Sequence, residues 1–176
     1  NSLAPEIPPN IALLFENLWW PGLTLKDKEL TAMLLDSVTH RNVGIMLDTG
    51  HLMNTNPNLK TEAEGVEYIL NTIENLGSYA RYVRGIHLHQ SLSGKYIRSS
   101  QKNAKQCKAE YSMEEVMQHV LHIDEHRPFA TPDVQKIINY VQPEFLVHEF
   151  TQHSLLDWKQ KLSQQLRALC INRMAI

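Results

Sequence analysis

Gly44-Ile45-Met46-Leu47-Asp48-Thr49-Gly50-His51 decides how this chain is read. The apolar run from Val43 to Leu47 has buried-strand character, and it delivers an aspartate at its end. A Thr-Gly turn then places a histidine three residues further on. In parallel α/β proteins, sites are built at the carboxyl ends of strands, so a carboxylate and an imidazole at one tip point to a metal or proton-transfer centre. The alternative is an Asp-His pair that only closes a turn, since Asp and Gly are ordinary turn residues.

The same pattern recurs on either side. Ile11 to Phe15 is a short apolar run ending in Glu16-Asn17, followed by the aromatic loop Leu18-Trp19-Trp20-Pro21-Gly22. Thr24 is expected to cap a helix with Leu30, Met33, Leu34 and Val38 as its buried stripe. After the central strand, Thr61-Glu62-Ala63-Glu64 is a capping box, and Val66, Ile69, Leu70, Ile73 and Leu76 form the apolar face behind it. Tyr82 to Gln90 reads as a third strand whose tip carries His87 and His89; two residues apart on a strand, they share a face. Ser91 to Glu110 reads as a long polar loop, with Lys95 and Arg98 either meeting a substrate phosphate or standing in solvent.

Ser112-Met113-Glu114-Glu115 opens a helix through Val116, Met117 and Val120, and Thr131-Pro132 starts another with Pro at its first position. Phe145 to Val147 is a fourth strand ending in His148-Glu149, and the last helix, from about Ser154, carries Leu155, Trp158, Leu162, Leu166 and Leu169. The order is strand-helix repeated four times, so residues 1–176 are expected to form a single α/β domain of parallel (β/α) units. Strand tips in a parallel sheet converge on one rim. Glu16, Asp48, His87 and Glu149 can therefore surround a single divalent cation. Asp124 and His126 read either as a further ligand pair or as a polar loop contact, and His89 as a substrate contact or a structural histidine.

Composition sets outer bounds. The chain has 176 residues, 43% hydrophobic, and a net charge of −2, so no basic field favours nucleic acid or an anionic membrane. No apolar run approaches the ~20 residues of a membrane span, the start lacks signal-peptide regions, and a cytoplasmic setting is expected. Cys107 and Cys170 have no thiolate-metal spacing. The nine histidines, several beside carboxylates, are the compositional anomaly and favour metal or acid/base chemistry.

Glu16-Asn17-Leu18, Leu47-Asp48-Thr49-Gly50-His51, Gly85-Ile86-His87-Leu88 and Val147-His148-Glu149 resemble successive strand-end motifs of the xylose-isomerase-like superfamily of sugar phosphate isomerases and epimerases, which includes the type IV apurinic endonucleases. The resemblance runs from about Ile11 to Phe150 and implies the C-terminal half of a TIM (β/α)8 barrel, a fold that typically takes ~250 residues. In the isomerase branch it implies metal ligation by Glu16, Asp48, His87 and Glu149, with Glu16 and Glu149 also the catalytic acid/base pair acting beside a sugar or sugar-phosphate carbonyl. The cation would be Mn²⁺, Mg²⁺ or Co²⁺. In the endonuclease branch, a metal-dependent phosphodiesterase with Zn²⁺, the further ligands fall on His51, Asp124 and His126. Gln90 departs from the Asp that many relatives carry after the third-strand histidine. A non-catalytic half-barrel module is the third reading. The sheet edges and inner face left by a half-barrel imply a partner, either a second copy or a separate N-terminal half.

Overall fold

Residues 6–103 and 111–170 are described by the computed structural model. Cys107, the end of the expected 91–110 loop and the first residues of the Pro-rich start lie outside them. Four apolar runs form the strands β1 (Leu13–Glu16), β2 (Val43–Asp48), β3 (Val83–Leu88) and β4 (Phe145–His148). All three pairings are parallel and the order is β1-β2-β3-β4, so β1 and β4 are the sheet edges. Around them lie α1 (Lys28–Ser37), α2 (Thr49–Asn54), α3 (Glu62–Asn75), α4 (Gly94–Asn103), α5 (Met113–Ile123), α6 (Gln135–Val141) and α7 (Leu155–Ala168). No helix among the described residues is long and apolar enough to cross a membrane.

Strand alternation sorts the two faces of the sheet. Ile45, Leu47, Ile86 and Leu88 are fully buried and pack with Val66, Ile69 and Ile73 of α3, Ile137 of α6 and Ala168 of α7. The opposite face carries Met46, Gly85 and His87, in register with Phe145 and Val147, which stay 45% and 43% exposed. Gly85 lets the Met46 thioether lie across it: a Cβ there would come within 2.6 Å of the sulfur, and the end of Met46 would have to move. One face of the sheet is thus a closed core and the other an open apolar floor, with the strand-end residues at its upper rim.

Several expectations are corrected. Asp27, not Thr24, caps α1, its carboxylate accepting the Leu30 N–H at 3.0 Å. Leu25 takes a positive φ of 62° and buries its side chain first, so the helix starts later. On α1 the buried residues are Thr31 and Leu35, while Leu30 and Met33 are exposed, because a helix beside an edge strand has a neighbour on one side only. The segment after Ser91 is not all loop: α4 forms in it, with Arg98 donating to the Pro57 carbonyl. Val116 and Met117 of α5 and Leu155 of α7 are exposed, whereas Leu169 is buried and Trp158, Leu162 and Leu166 are half-buried. The α3 stripe is as expected apart from Leu70, which is half-buried.

The two kinds of apolar residue should separate in urea unfolding. Ile86→Ala is expected to cost about 2–5 kcal/mol. Leu155→Ala, at a position 67% exposed, is expected to stay within about 0.5 kcal/mol of zero. Equal costs would show that the exposed α7 residue is packed in solution.

Candidate metal centre

Asp48 sits at the end of β2 with no exposed surface. Two devices hold its backbone and side chain. The Asn17 carboxamide donates to the Asp48 carbonyl at 3.0 Å and accepts from its N–H at 2.8 Å, extending the β1·β2 ladder by one residue. The carboxylate caps α2, with Oδ1 accepting the His51 N–H at 2.7 Å, where the helix N-terminus favours negative charge. His89 Nε2 lies 2.9 Å from Oδ1 and 3.0 Å from Oδ2. Burial alone would raise the pKa of this carboxyl, but the close His87, His89 and His51 imidazoles outweigh it and hold it well below the usual carboxylate range.

Three strand-end carboxylates then close on one imidazole nitrogen. His87 Nδ1 is 3.1 Å from Glu149 Oε2, 3.4 Å from Glu16 Oε2 and 3.7 Å from Asp48 Oδ2. Nδ1 and Glu149 Oε2 are buried and face each other without the alignment of a hydrogen bond, so neither has a hydrogen-bond partner. Asp48, Glu149 and Glu16 together drive the His87 pKa up to about 11, and the close His126 and His87 imidazoles hold Glu149 well below the carboxylate range. The donor set fits a divalent cation: ligand atoms of Glu16, Asp48 and His87 lie within 4.8 Å of one another. An ion ~2.0–2.6 Å from each ligand requires separations of no more than about twice that distance.

A second cluster adjoins the first. His51 Nδ1 contacts the Asn17 carbonyl at 2.8 Å, while Nε2 meets Asp124 Oδ2 at 3.1 Å. Both neighbours accept hydrogen bonds, so the ring needs two protons; burial opposes that charge, but the Asp124 and Asp48 carboxylates carry the pKa to about 9. His126 Nε2 lies 3.3 Å from Asp124 Oδ2 and 3.5 Å from Glu149 Oε1, reached through a backbone φ of 47°. Glu16 Oε1, 3.3 Å from His51 Nδ1, ties the clusters together from the other side. The Trp19 ring packs edge-on against His51 with centroids 4.6 Å apart.

His89, His126 and Glu149 also offer ligand atoms within 4.8 Å of one another. That trio does not converge. The two imidazoles are stacked 8° apart at 4.3 Å, so their in-plane lone pairs run side by side rather than to one point. Asp124 is nine-tenths buried or more and fixed by Asn54 Nδ2 at 3.4 Å as well as by His51, so it is part of the rim rather than a loose loop contact.

Of the residues singled out by sequence, Glu16, Asp48, His51, His87, His89, Asp124, His126 and Glu149 come together. Lys95 does not: it is exposed on α4 and forms no ion pair with these carboxylates. Gln90 does not orient His87; it is buried, pairs by its backbone with Arg127, and leaves its Oε1 without a partner. The roles of Asn17, Asn54 and Gln165 went unread. Gln165 of α7 joins three pieces of the rim, donating to the Leu88 carbonyl and His148 Nδ1 and accepting from the Phe129 N–H. Compared with known protein families, curated proteins and solved structures, the chain matches none.

Because His87 is protonated at neutral pH in the ion-free cluster, a divalent ion must displace that proton. Calorimetric Mn²⁺ titrations near pH 7.5, in buffers of different ionisation enthalpy, are expected to show about one proton or more released per ion. Binding without proton release would place the ion elsewhere.

Proposed function

We propose that the chain is the metal-binding half of a xylose-isomerase-like (β/α)8 barrel and serves as a divalent-metal-dependent sugar or sugar-phosphate isomerase or epimerase of the cytoplasm. The observation that carries this is the convergence of Glu16, Asp48 and Glu149 on His87 Nδ1, with a buried nitrogen and a buried carboxylate oxygen left without hydrogen-bond partners. Asp48 and His87 would hold the ion with Glu16 and Glu149, and Mn²⁺, Mg²⁺ or Co²⁺ suits three carboxylates and one imidazole. When bound, such an ion polarises a carbonyl and makes the adjacent C–H more acidic.

The two glutamates have the exposure such chemistry needs. Their side chains are 37% and 40% exposed, against 0% for Asp48, so they can meet a substrate while Asp48 cannot leave the site. The neighbouring His126 and His87 imidazoles keep Glu149 ionised, the form from which a base starts. In the forward step the C–H bond next to the carbonyl breaks, its proton moves to one carboxylate, and the electron pair passes to the carbonyl oxygen. The other carboxyl, protonated at the start, then gives its proton to carbon as the electron pair returns from oxygen, so one carboxyl is protonated at the start and one at the end. The open floor of Phe145 and Val147 belongs to the same proposal: in a closed barrel it faces the interior, covered by a second four-strand unit from another copy or another polypeptide.

A second reading has its own support. His51, Asp124 and His126 form a further carboxylate–imidazole cluster beside the first, as a Zn²⁺-dependent phosphodiesterase of the apurinic-endonuclease type would need. The net charge of −2 weighs against a nucleic-acid backbone as its substrate.

Elemental analysis of the purified protein separates the alternatives: one ion per chain for the isomerase, three for the endonuclease type, none for a non-catalytic module. Incubation with ketoses, aldoses and their phosphates in D₂O is expected to place deuterium on the carbon next to the carbonyl, read by NMR. Glu149→Gln should slow that exchange by roughly 10²–10⁴-fold. No exchange with any of these sugars in the metal-loaded protein would overturn the isomerase reading.

A further inference from the structure

We propose that His89 is a positioning residue that holds Asp48 for the cation, and that it fixes how tightly the site binds a divalent ion. The inference rests on the metal reading above and adds a residue which that reading does not use.

His89 lies just past the end of β3 with no exposed surface, behind the carboxylate of Asp48. An ionised carboxylate only accepts hydrogen bonds, so Nε2 carries the proton in this contact. His89 Nε2 straddles the carboxylate, 2.9 Å from Oδ1 and 3.0 Å from Oδ2; Oδ1 also takes the His51 N–H, and Oδ2 is the oxygen 3.7 Å from His87 Nδ1. The imidazole therefore fixes the position and plane of the whole carboxylate, and the second lone pair of Oδ2 remains for an ion on the His87 side. Hydrogen-bond partners behind a ligand of this kind typically change metal affinity by about 10–100-fold.

The ring is itself held from several directions. Thr49 Oγ1 accepts the His89 N–H at 3.1 Å and donates to its carbonyl. The His126 ring stacks on one face. Gly50 closes another: a Cβ there would come within 2.1 Å of His89 Cε1. The Thr-Gly pair between Asp48 and His51 thus does more than turn the chain; it makes room for an imidazole and hooks its backbone. His89 Nδ1 is left buried without a partner, 3.9 Å from Asp124 Oδ1. Such an orphan is costly, and a residue kept only for packing would not need a polar atom there.

The test measures Mn²⁺ affinity by EPR of the free ion, with the bound-ion spectrum at saturation and the thermal midpoint of the ion-free chain as second and third readouts. His89→Phe is expected to weaken Mn²⁺ binding about 10–100-fold and to alter the bound-ion spectrum. His89→Gln, whose amide N–H can reach Asp48, should restore most of the affinity. Should His89→Phe fail to fold, Gly50→Ala makes the comparison with the imidazole still present but pushed off Asp48; it too should weaken binding. Equal affinity in wild type and the variants overturns the inference while leaving the metal reading intact. Equal losses in His89→Phe and His89→Gln, matched by equal falls in thermal midpoint, overturn it in favour of a packing role. A wild type that binds no Mn²⁺ overturns both readings.

Discussion

A carboxylate with no exposed surface, Asp48, is the constraint around which the upper rim of this sheet is arranged. Taking such a charge out of water is expensive unless its lone pairs are met. Its neighbours meet them in layers. The β1 tip supplies Asn17 to fix the backbone, α2 supplies the His51 N–H, and the chain beyond β3 supplies His89. Each comes from a different element, so the charge can be accommodated only when β1, β2 and β3 are already in register.

That register in turn positions the rest. His87 pairs with Asp48 across β2·β3 and lies on the same face, which places Nδ1 among the carboxylates without any loop having to find it. The Asp124–His126 segment follows α5 and reaches the rim by less regular means. The Gln90·Arg127 bridge, the Ser91 hydroxyl on the Ile123 carbonyl and Gln165 on the Phe129 N–H pin it at successive points. A polar scaffold of amides and hydroxyls therefore does for the second cluster what the strand ladder does for the first. The positive φ of His126 fits that picture, since a segment fastened on both sides can hold a backbone conformation that a free loop would relax.

What the sequence disclosed follows from the same division. A short apolar run with a carboxylate or imidazole at its tip is a local signal: Glu16 and Asp48 end their strands, Glu149 directly follows one, and His87 sits one residue before the end of β3. The α3 face was legible because it packs against the middle of the sheet, where apolar spacing and burial agree. The α1 stripe was not, because an edge position leaves Leu30 and Met33 without a neighbour, and periodicity alone does not tell an edge helix from a central one. The segment carrying α4 reads as loop in the sequence because Lys95, Arg98, Ser99 and Ser100 give it few apolar anchors. Asn17 and Gln165 were illegible in a deeper sense: their amides act across 31 and 77 residues, and only the folded chain brings those partners together.

The charge balance at the rim joins the fold to its chemistry. Glu16, Asp48, Asp124 and Glu149 stand within reach of His51, His87 and His126, and in the ion-free state imidazole protons supply the counter-charge: His87 is raised to about 11, His51 to about 9, and His126 is raised as well. Each raised pKa favours the folded state below the ordinary imidazole value of 6.5 and loses that contribution as pH climbs toward the folded value. A divalent ion at His87 Nδ1 would supply the same counter-charge without a proton. It would therefore stabilise the ion-bound fold most where the protons are weakest, on the alkaline side. Protons and a divalent ion would compete for the same place beside His87 Nδ1, because the carboxylates of Glu16, Asp48 and Glu149 all face it.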